Sequence, residues 1–358
     1  MQISTAHWGD LPDGTPVNLH TLSHDSGLRL SITDLGATLV SWFAPDRDGR
    51  LADILLGHDS PAGYAAGTAY MGAIIGRWAN RIAGARFMLD GREYHVDANQ
   101  PPNHLHGGFK GFGQKIWQAR HEADALIFTL ESPAGEAGFP GTVNVQVTYA
   151  FDASGVLTIT YEAVTDAATP LNLTNHAYFN LSGLGSSTTI RDHEVEIAAD
   201  VFLAVDATLI PTGEEHVADT PFDLRTAALL GDRLDVPNAQ LAHGGGFDHC
   251  YVLRNDAPVT ELPESRRVAS VYHPASGREL IVSTTERGLQ FYTGNELEGV
   301  PGKGGVKYSK YEGLCVEAGG FPDQINMEDA ETVVLRPNER YKQVTRYAMG
   351  VRPEAPRE

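Results

Sequence analysis

The chain has 358 residues, of which 27 are Lys or Arg and 46 are Asp or Glu, giving a formal net charge of −19. Nucleic acid and anionic membrane surfaces are poor partners for such a molecule, because any basic patch would have to rise out of a negative background. The length suffices to bury about three quarters of the unfolded surface, and the 38 glycines and 20 prolines point to many short elements joined by turns, an all-β protein.

The opening MQISTAHWGDLPDG lacks a basic stretch followed by an apolar one, so no secretion signal is expected, and no run approaches 18 apolar residues. Strands are expected over the apolar and β-branched runs 28–33, 38–43, 125–130, 142–151, 156–164, 194–198, 280–284 and 332–335. The turn pairs Asp13-Gly14, Asp48-Gly49, Asp90-Gly91, Ser154-Gly155 and Ser276-Gly277 punctuate flanking runs, as hairpin connections do. Helices are expected only over 222–234, with Asp223 as cap and Gly231 near the end, and over 323–330. No linker divides the chain, and GVPGKGG at 299–305 reads as a surface loop. One domain over residues 1–358 with some 20 strands follows. So many strands imply a large antiparallel β-sandwich, since a single open sheet of that size would curl or split. Cys250 and Cys315 form no Cys-x-x-Cys pair, so neither a disulfide framework nor a zinc ribbon is indicated and a reducing, cytoplasmic location is expected. The Asn-x-Ser/Thr matches at Asn172 and Asn180 would matter only in a secreted protein.

Phosphate-cradling loops, H-E-x-x-H and G-x-S-x-G are absent, and Gly111-Phe112-Gly113 reads as a turn. The densest polar segments are GRWANRI at 76–82 and NHLHGG at 103–108. His104 and His106, two apart on an extended segment, would face one side, and metal ligation, a hydrogen-bonded structural pair and substrate contact all remain open for them. In NLTNHAYFNL at 172–181 the alternation puts Asn172, Thr174 and His176 on one face. Such a face is costly to bury unless paired, so it is expected to line a wet cleft. Asp248 stands at the mouth of the run FDHCYVL and Glu317 at the end of LCVE, in apolar surroundings that raise a carboxyl pKa and make a proton acceptor useful near neutrality. LQFYTGN at 289–295 adds amides able to grip hydroxyls. Neutral hydrogen-bonding groups with two histidines, an arginine and two carboxylates suit a polyhydroxylated ligand, a sugar, better than an anion.

GRWANRI, NHLHGG, TNHAYFNL, FDHCYVL, LQFYTGN and VEAGGFPDQIN occur in the order and at the spacing of motifs in the aldose 1-epimerase (galactose mutarotase) family, which the chain resembles from about residue 15 to the terminal LRPNERYKQVTRYAMGV. The resemblance implies a large β-sandwich that interconverts the α and β anomers of free aldoses such as galactose and glucose. Carried over residue by residue, it makes Glu317 the general base at the C1 hydroxyl and His176 the acid at the ring oxygen. Asn80, Arg81, His106, Asp248 and Gln290 would hold the sugar. No metal and no cofactor is implied, the partner is a small free sugar, and monomer and homodimer both stay open. Two departures stand out: Ala318-Gly319-Gly320 replaces the Thr-Gln common after the glutamate, and Pro337-Asn338-Glu339 replaces Pro-Gly-Glu. Two alternatives are a glycoside hydrolase using Asp248 and Glu317 as its carboxylate pair, and a sugar-binding module without catalysis.

Overall fold

A computed structural model describes residues 2–185, 189–254 and 265–352. All five turn pairs join antiparallel neighbours: Gln2–Asp10 with Pro16–Ser23, Thr38–Pro45 with Leu51–Asp53, Arg86–Leu89 with Arg92–His95, Val143–Phe151 with Val156–Thr165, and Arg266–Tyr272 with Arg278–Thr284. The glycine of each pair has φ between +74° and +83°, a region that carries no steric penalty only for a residue without Cβ.

Three large antiparallel sheets dominate, so the all-β class holds. One has nine strands, in the order Gln118–Glu122, Ala125–Ser132, Val143–Phe151, Val156–Thr165, Tyr341–Val351, Arg278–Thr284, Arg266–Tyr272, Glu194–Ile197 and Ala228–Leu229. A second has five, in the order Pro211–His216, Ala199–Val205, Asp248–Leu253, Gly288–Tyr292 and Cys315–Gly319. The third is formed by the first five strands of the chain. Period-two alternation drives the burial: Val143, Val145, Val147, Tyr149 and Phe151 are buried while the residues between them are not. The strand Tyr341–Val351 crosses behind Cys315–Gly319, where the Gln343 amide donates to the Ala318 carbonyl at 2.9 Å and the Tyr347 hydroxyl to the Val316 carbonyl at 3.4 Å. The nine-stranded sheet thereby backs the five-stranded one.

The expected strand 194–198 is present as Glu194–Ile197, and a further strand follows it directly. Glu194–Ile197 lies in the nine-stranded sheet and Ala199–Val205 in the five-stranded one, and Ala198 crosses between them, donating to Val268 and accepting from Arg254. The expected helix 222–234 is mostly absent. Phe222 stacks on Phe202 with ring centroids 4.1 Å apart, Leu224 and Leu230 are also core residues, and only Leu230–Leu234 is helical. Burial at these spacings overrides helix propensity. Residues 323–330 form 3₁₀ turns, Gln324–Asn326 and the start of Ala330–Val333. Asp323 adopts φ +57° and accepts from the Ala83 amide at 2.9 Å rather than capping an α-helix. The run 332–335 retains only Val334–Leu335 as strand. The 299–305 loop is fastened by Lys303, whose Nζ reaches Asp53 Oδ2 at 2.7 Å and the Leu55 carbonyl at 2.8 Å.

Arg77, from the polar segment 76–82, is a structural clamp. Its buried guanidinium donates to the carbonyls of Ser132, Pro133, Pro140 and Gly141 and to the hydroxyls of Ser132 and Thr169. Arg77→Met would leave these acceptors without their donor and should cost about 3–5 kcal/mol. Urea denaturation measures this, and a loss below about 0.5 kcal/mol, the scatter of neutral surface changes, would mean that the carbonyls find other donors.

Candidate active site

Three neighbouring strands present one polar face. In their register Asp248 lies opposite Tyr292, Cys250 opposite Gln290, Gln290 opposite Glu317 and Tyr292 opposite Cys315. Directly opposed residues share a face, so these six side chains line one side, while Tyr251, Leu289, Phe291, Val316 and Ala318 enter the core on the other. Asp248 begins its strand, as expected. Glu317 is the central residue of Cys315–Gly319 rather than standing at its end, and interior placement denies it the solvent that a strand end would allow.

Asn80, Arg81 and His106 come from the pairing of Arg81–Ile82 with His104–Leu105. Asn80 and His106 have φ +65° and +50°, a conformation uncommon outside glycine that Asn and His adopt more often than most residues. The two are tied together: the Asn80 amide donates to His106 Nδ1 at 3.1 Å and the His106 amide to the Asn80 carbonyl at 3.2 Å. A Cβ on the next residue, Gly107, would lie 1.8 Å from the Gly76 carbonyl oxygen, so this close approach requires glycine. The turn at His106 breaks the extended segment, and the two histidines part company. His104 packs on Phe139 with Nδ1 at 2.8 Å from the Asp97 carbonyl, while the His106 ring lies 5.2 Å from that of His176. His104 is thus a structural histidine and His106 a cavity residue.

Asn172, Thr174 and His176 share a face, as expected, and it meets the strand Cys315–Gly319. Asn172 Oδ1 accepts from the Gly320 amide at 2.9 Å, Thr174 Oγ1 donates to the Ala318 carbonyl at 2.9 Å, and His176 Nδ1 lies 3.5 Å from Cys315 Sγ. Asn172 and Asn180 are buried, so both Asn-x-Ser/Thr matches are structural. The His176 imidazole stacks near Tyr178, at 5.1 Å and 23°, and near Tyr70, at 6.1 Å and 25°. Its Nε2 is 3.8 Å from Glu317 Oε1.

These groups surround a cavity of about 560 Å³ whose lining includes Asn80, Arg81, His106, His176, Asp248 and Glu317. Gln290 lies beside a small recess shared with Asn80 and Glu317. It donates to Asp248 Oδ1 at 2.6 Å, and its Oε1 is buried without a partner among the described residues. All seven residues that the resemblance assigns to the site therefore converge. Arg81 sits among the acids, with Nη1 3.8 Å from Asp248 Oδ2 and Nε donating to Gln100 Oε1 at 2.7 Å. Sequence reasoning assigned no role to Tyr70, Gln100, Tyr178, Tyr292 or the Cys315 thiol. Tyr178, Tyr292 and Cys315 lie within the quoted motifs, but Tyr70 and Gln100 belong to none and only the tertiary contacts reveal them.

Burial pushes the Glu317 carboxyl well above its ordinary range, the nearby Asp248 charge adds to this, and Arg81 opposes it. Burial also raises Asp248, against Arg81 and Gln290. The same desolvation pushes His176 down to about 4 and drives His106 well down, with His176 and Arg81 assisting. In water a proton shared by a glutamate and a histidine sits on the histidine, and burial moves it toward the glutamate. The arrangement is suited to passing protons at two points of a neutral, hydroxyl-bearing ligand.

Residues 18–348 match the family model described as aldose 1-epimerase. The galactose mutarotase of Bos taurus is 44% identical over 354 residues, covering 98% of this chain and 99% of the relative. The aldose 1-epimerase of Escherichia coli K12 is 37% identical over 341 residues, covering 94% and 96%. Among solved structures, the galactose 1-epimerase of Lactobacillus acidophilus superposes with a TM-score of 0.84 at 26% identity, covering 98% of this chain and 99% of that one. A GalM/aldose epimerase homologue from C. elegans also gives 0.84, at 29% identity, covering 94% and 99%.

Proposed function

The chain belongs to the aldose 1-epimerase family, and we propose that Glu317 and His176 are the base and the acid with which it interconverts the α and β anomers of free aldoses. The observation that carries this assignment is the placement of His176 Nε2 3.8 Å from Glu317 Oε1 on the wall of a cavity that Asn80, Arg81, His106 and Asp248 also line.

Ring opening needs a proton removed from O1 and one delivered to O5. Glu317 takes the first and His176 supplies the second, the C1–O5 bond breaks, and the electron pair from the O1–H bond forms the aldehyde C=O. Rotation about C1–C2 turns the other carbonyl face toward O5. On closure His176 recovers its proton from the O5 hydroxyl as O5 attacks C1, and Glu317 returns its proton to O1. Nothing is consumed, so acid and base emerge as they began. The opposing pKa shifts favour the neutral pair, the state reached while the chain is open, over the charged pair that must precede opening, and so pull the proton transfers forward. Asn80, Arg81, His106, Asp248 and Gln290 hold the sugar's hydroxyls and ring oxygen, with Asp248 and Gln290 fixing each other through their 2.6 Å hydrogen bond. The chain acts as one domain, since the site draws on residues from 70 to 317. The two buried, unpaired cysteines support a reducing, cytoplasmic setting, and no described helix is long and apolar enough to cross a membrane.

Polarimetry on freshly dissolved α-galactose, α-glucose, xylose, arabinose and fucose tests the assignment. Anomer exchange well above the buffer rate is expected, with galactose and glucose turned over. Release of chromophore from aryl glycosides without faster anomer exchange would overturn it in favour of hydrolysis.

A further inference from the structure

Arg81 and Asp248 carry opposite charges on the cavity wall yet do not close on each other. Arg81 Nη1 stands 3.8 Å from Asp248 Oδ2, with side chains only 8% and 14% exposed. Charge-assisted pairs normally meet at about 2.7–2.9 Å, and attraction strengthens where water is scarce, so something holds this pair apart. Each partner is anchored from behind by a neutral amide. Gln290 donates to Asp248 Oδ1 at 2.6 Å, and Gln100 Oε1 accepts from Arg81 Nε at 2.7 Å. Asn80 Oδ1 lies 3.4 Å from Nη1, and Nη2 has no acceptor among the described residues.

Gln100 is exposed at the cavity mouth, but its turn is fixed. The Gln100 and Asn103 amides each donate to the other's carbonyl, at 3.1 and 2.7 Å. Asn103 Oδ1 accepts from the Gly84 amide at 3.0 Å. The Asn99 side chain bonds both the amide and the carbonyl of Leu105, each at 2.8 Å, and Leu105 lies directly opposite Arg81 in the strand pairing. The acceptor and the guanidinium it holds are thus mounted on one frame.

We propose that Gln100 is a positioning residue that holds Arg81 off Asp248, so that both keep hydrogen-bonding capacity free for the sugar. This rests on the reading of the cavity as the site of a free aldose. An amide suits the task because it accepts from Nε without cancelling the guanidinium charge, which favours the ionised form of Glu317. A carboxylate at position 100 would cancel that charge. The titratable groups about the guanidinium are Asp248, Glu317, His106 and Tyr70. Cys315, Tyr178 and Tyr292 complete the surroundings of the Glu317–His176 pair.

The test compares Gln100→Ala and Gln100→Glu in the full chain, with galactose. Without an acceptor at Nε the guanidinium should swing onto Asp248, and sugar binding must then reopen the pair. Gln100→Ala should therefore raise KM and the calorimetric Kd about 10-fold with kcat nearly unchanged. That is the lower end of what a hydrogen bond to a charged group is worth, because water reaches the vacated place. The crystal structure of this variant should show a guanidinium nitrogen within hydrogen-bond distance of Asp248. Gln100→Glu keeps an acceptor, so its KM should stay near the wild-type value. Its added negative charge strengthens proton binding by the Glu317–His176 pair and should move both limbs of the kcat/KM profile to higher pH. Wild-type KM and Kd in Gln100→Ala overturn the proposal, as does an Arg81–Asp248 separation unchanged in that variant. A KM in Gln100→Glu as high as in Gln100→Ala, or unmoved limbs, also overturns it. A wild type without anomer exchange would instead refute the activity, and the galactose Kd and the variant's structure would still decide the role of Gln100. Urea denaturation of each variant separates loss of fold from loss of positioning.

Discussion

Glu317→Gln should lower kcat for anomer exchange by about 10²- to 10⁴-fold, the usual worth of a well-placed general base, while sugar still binds. The amide occupies nearly the same volume and keeps one acceptor oxygen, so hydroxyl contacts survive, but it cannot take the O1 proton at any accessible pH. Polarimetry gives the rate, and calorimetry or tryptophan fluorescence gives the binding. Near-normal exchange in this variant would remove Glu317 from its role. A second signature is expected in stability. The native carboxyl pKa is raised by burial and by Asp248 above its ordinary 4.5. As pH rises through that window the unfolded chain loses its proton first, so stability falls with pH and the full cost is present once the native carboxyl ionises. Glu317→Gln removes this cost and should stabilise the protein by about 0.5–2 kcal/mol at neutral pH, as relief of a strained functional group does. The gain should vanish below pH 4.5.

His176→Asn should cost a comparable 10²- to 10⁴-fold in kcat, because it removes the imidazole whose Nε2 lies 3.8 Å from Glu317 Oε1 at the cavity wall. His106 is the nearest imidazole, but its Nδ1 already accepts from the Asn80 amide. With two ionising groups the wild-type kcat/KM profile should be bell-shaped, its apparent pKa values belonging to the coupled pair. Either single variant should retain one limb only. A bell that survives in His176→Asn would transfer the acid role elsewhere. Stability again provides an independent reading. His176 titrates at about 4 in the native state against 6.5 ordinarily, so on acidification the unfolded chain takes up the proton first. The wild type loses stability from this group as pH falls from 6.5 toward 4, and His176→Asn should lack that loss.

Much of this was legible in the chain itself because it is local. Five hairpins were each marked by a pair ending in glycine, since the left-handed φ of the turn is penalised in most other residues, whereas the hairpin at Ala123-Asp124 carries no such mark. The alternation in 143–151 marked a strand with one buried face, and the alternation in 172–176 correctly put Asn172, Thr174 and His176 on one side. The helix expected over 222–234 failed because Phe222 and Leu224 are held by Phe202 and the core, a long-range demand invisible in a window. The shared side expected for His104 and His106 failed because His106 takes a left-handed conformation fixed by its partnership with Asn80.

By itself the sequence indicated the all-β class, several strands, the hairpin turns at the five glycine pairs and the polar face of 172–176, because these follow from period and from residue type, while the seven candidate site residues came from the resemblance of its motifs to the aldose 1-epimerase family. Only the tertiary structure decided which atoms meet. The register that sets Gln290 against Glu317, the burial that raises one proton affinity and lowers the other, and the sulfur behind His176 all arise from contacts between residues far apart in the chain. Proton affinities depend on what surrounds a group, and those surroundings exist only once the sheets have packed.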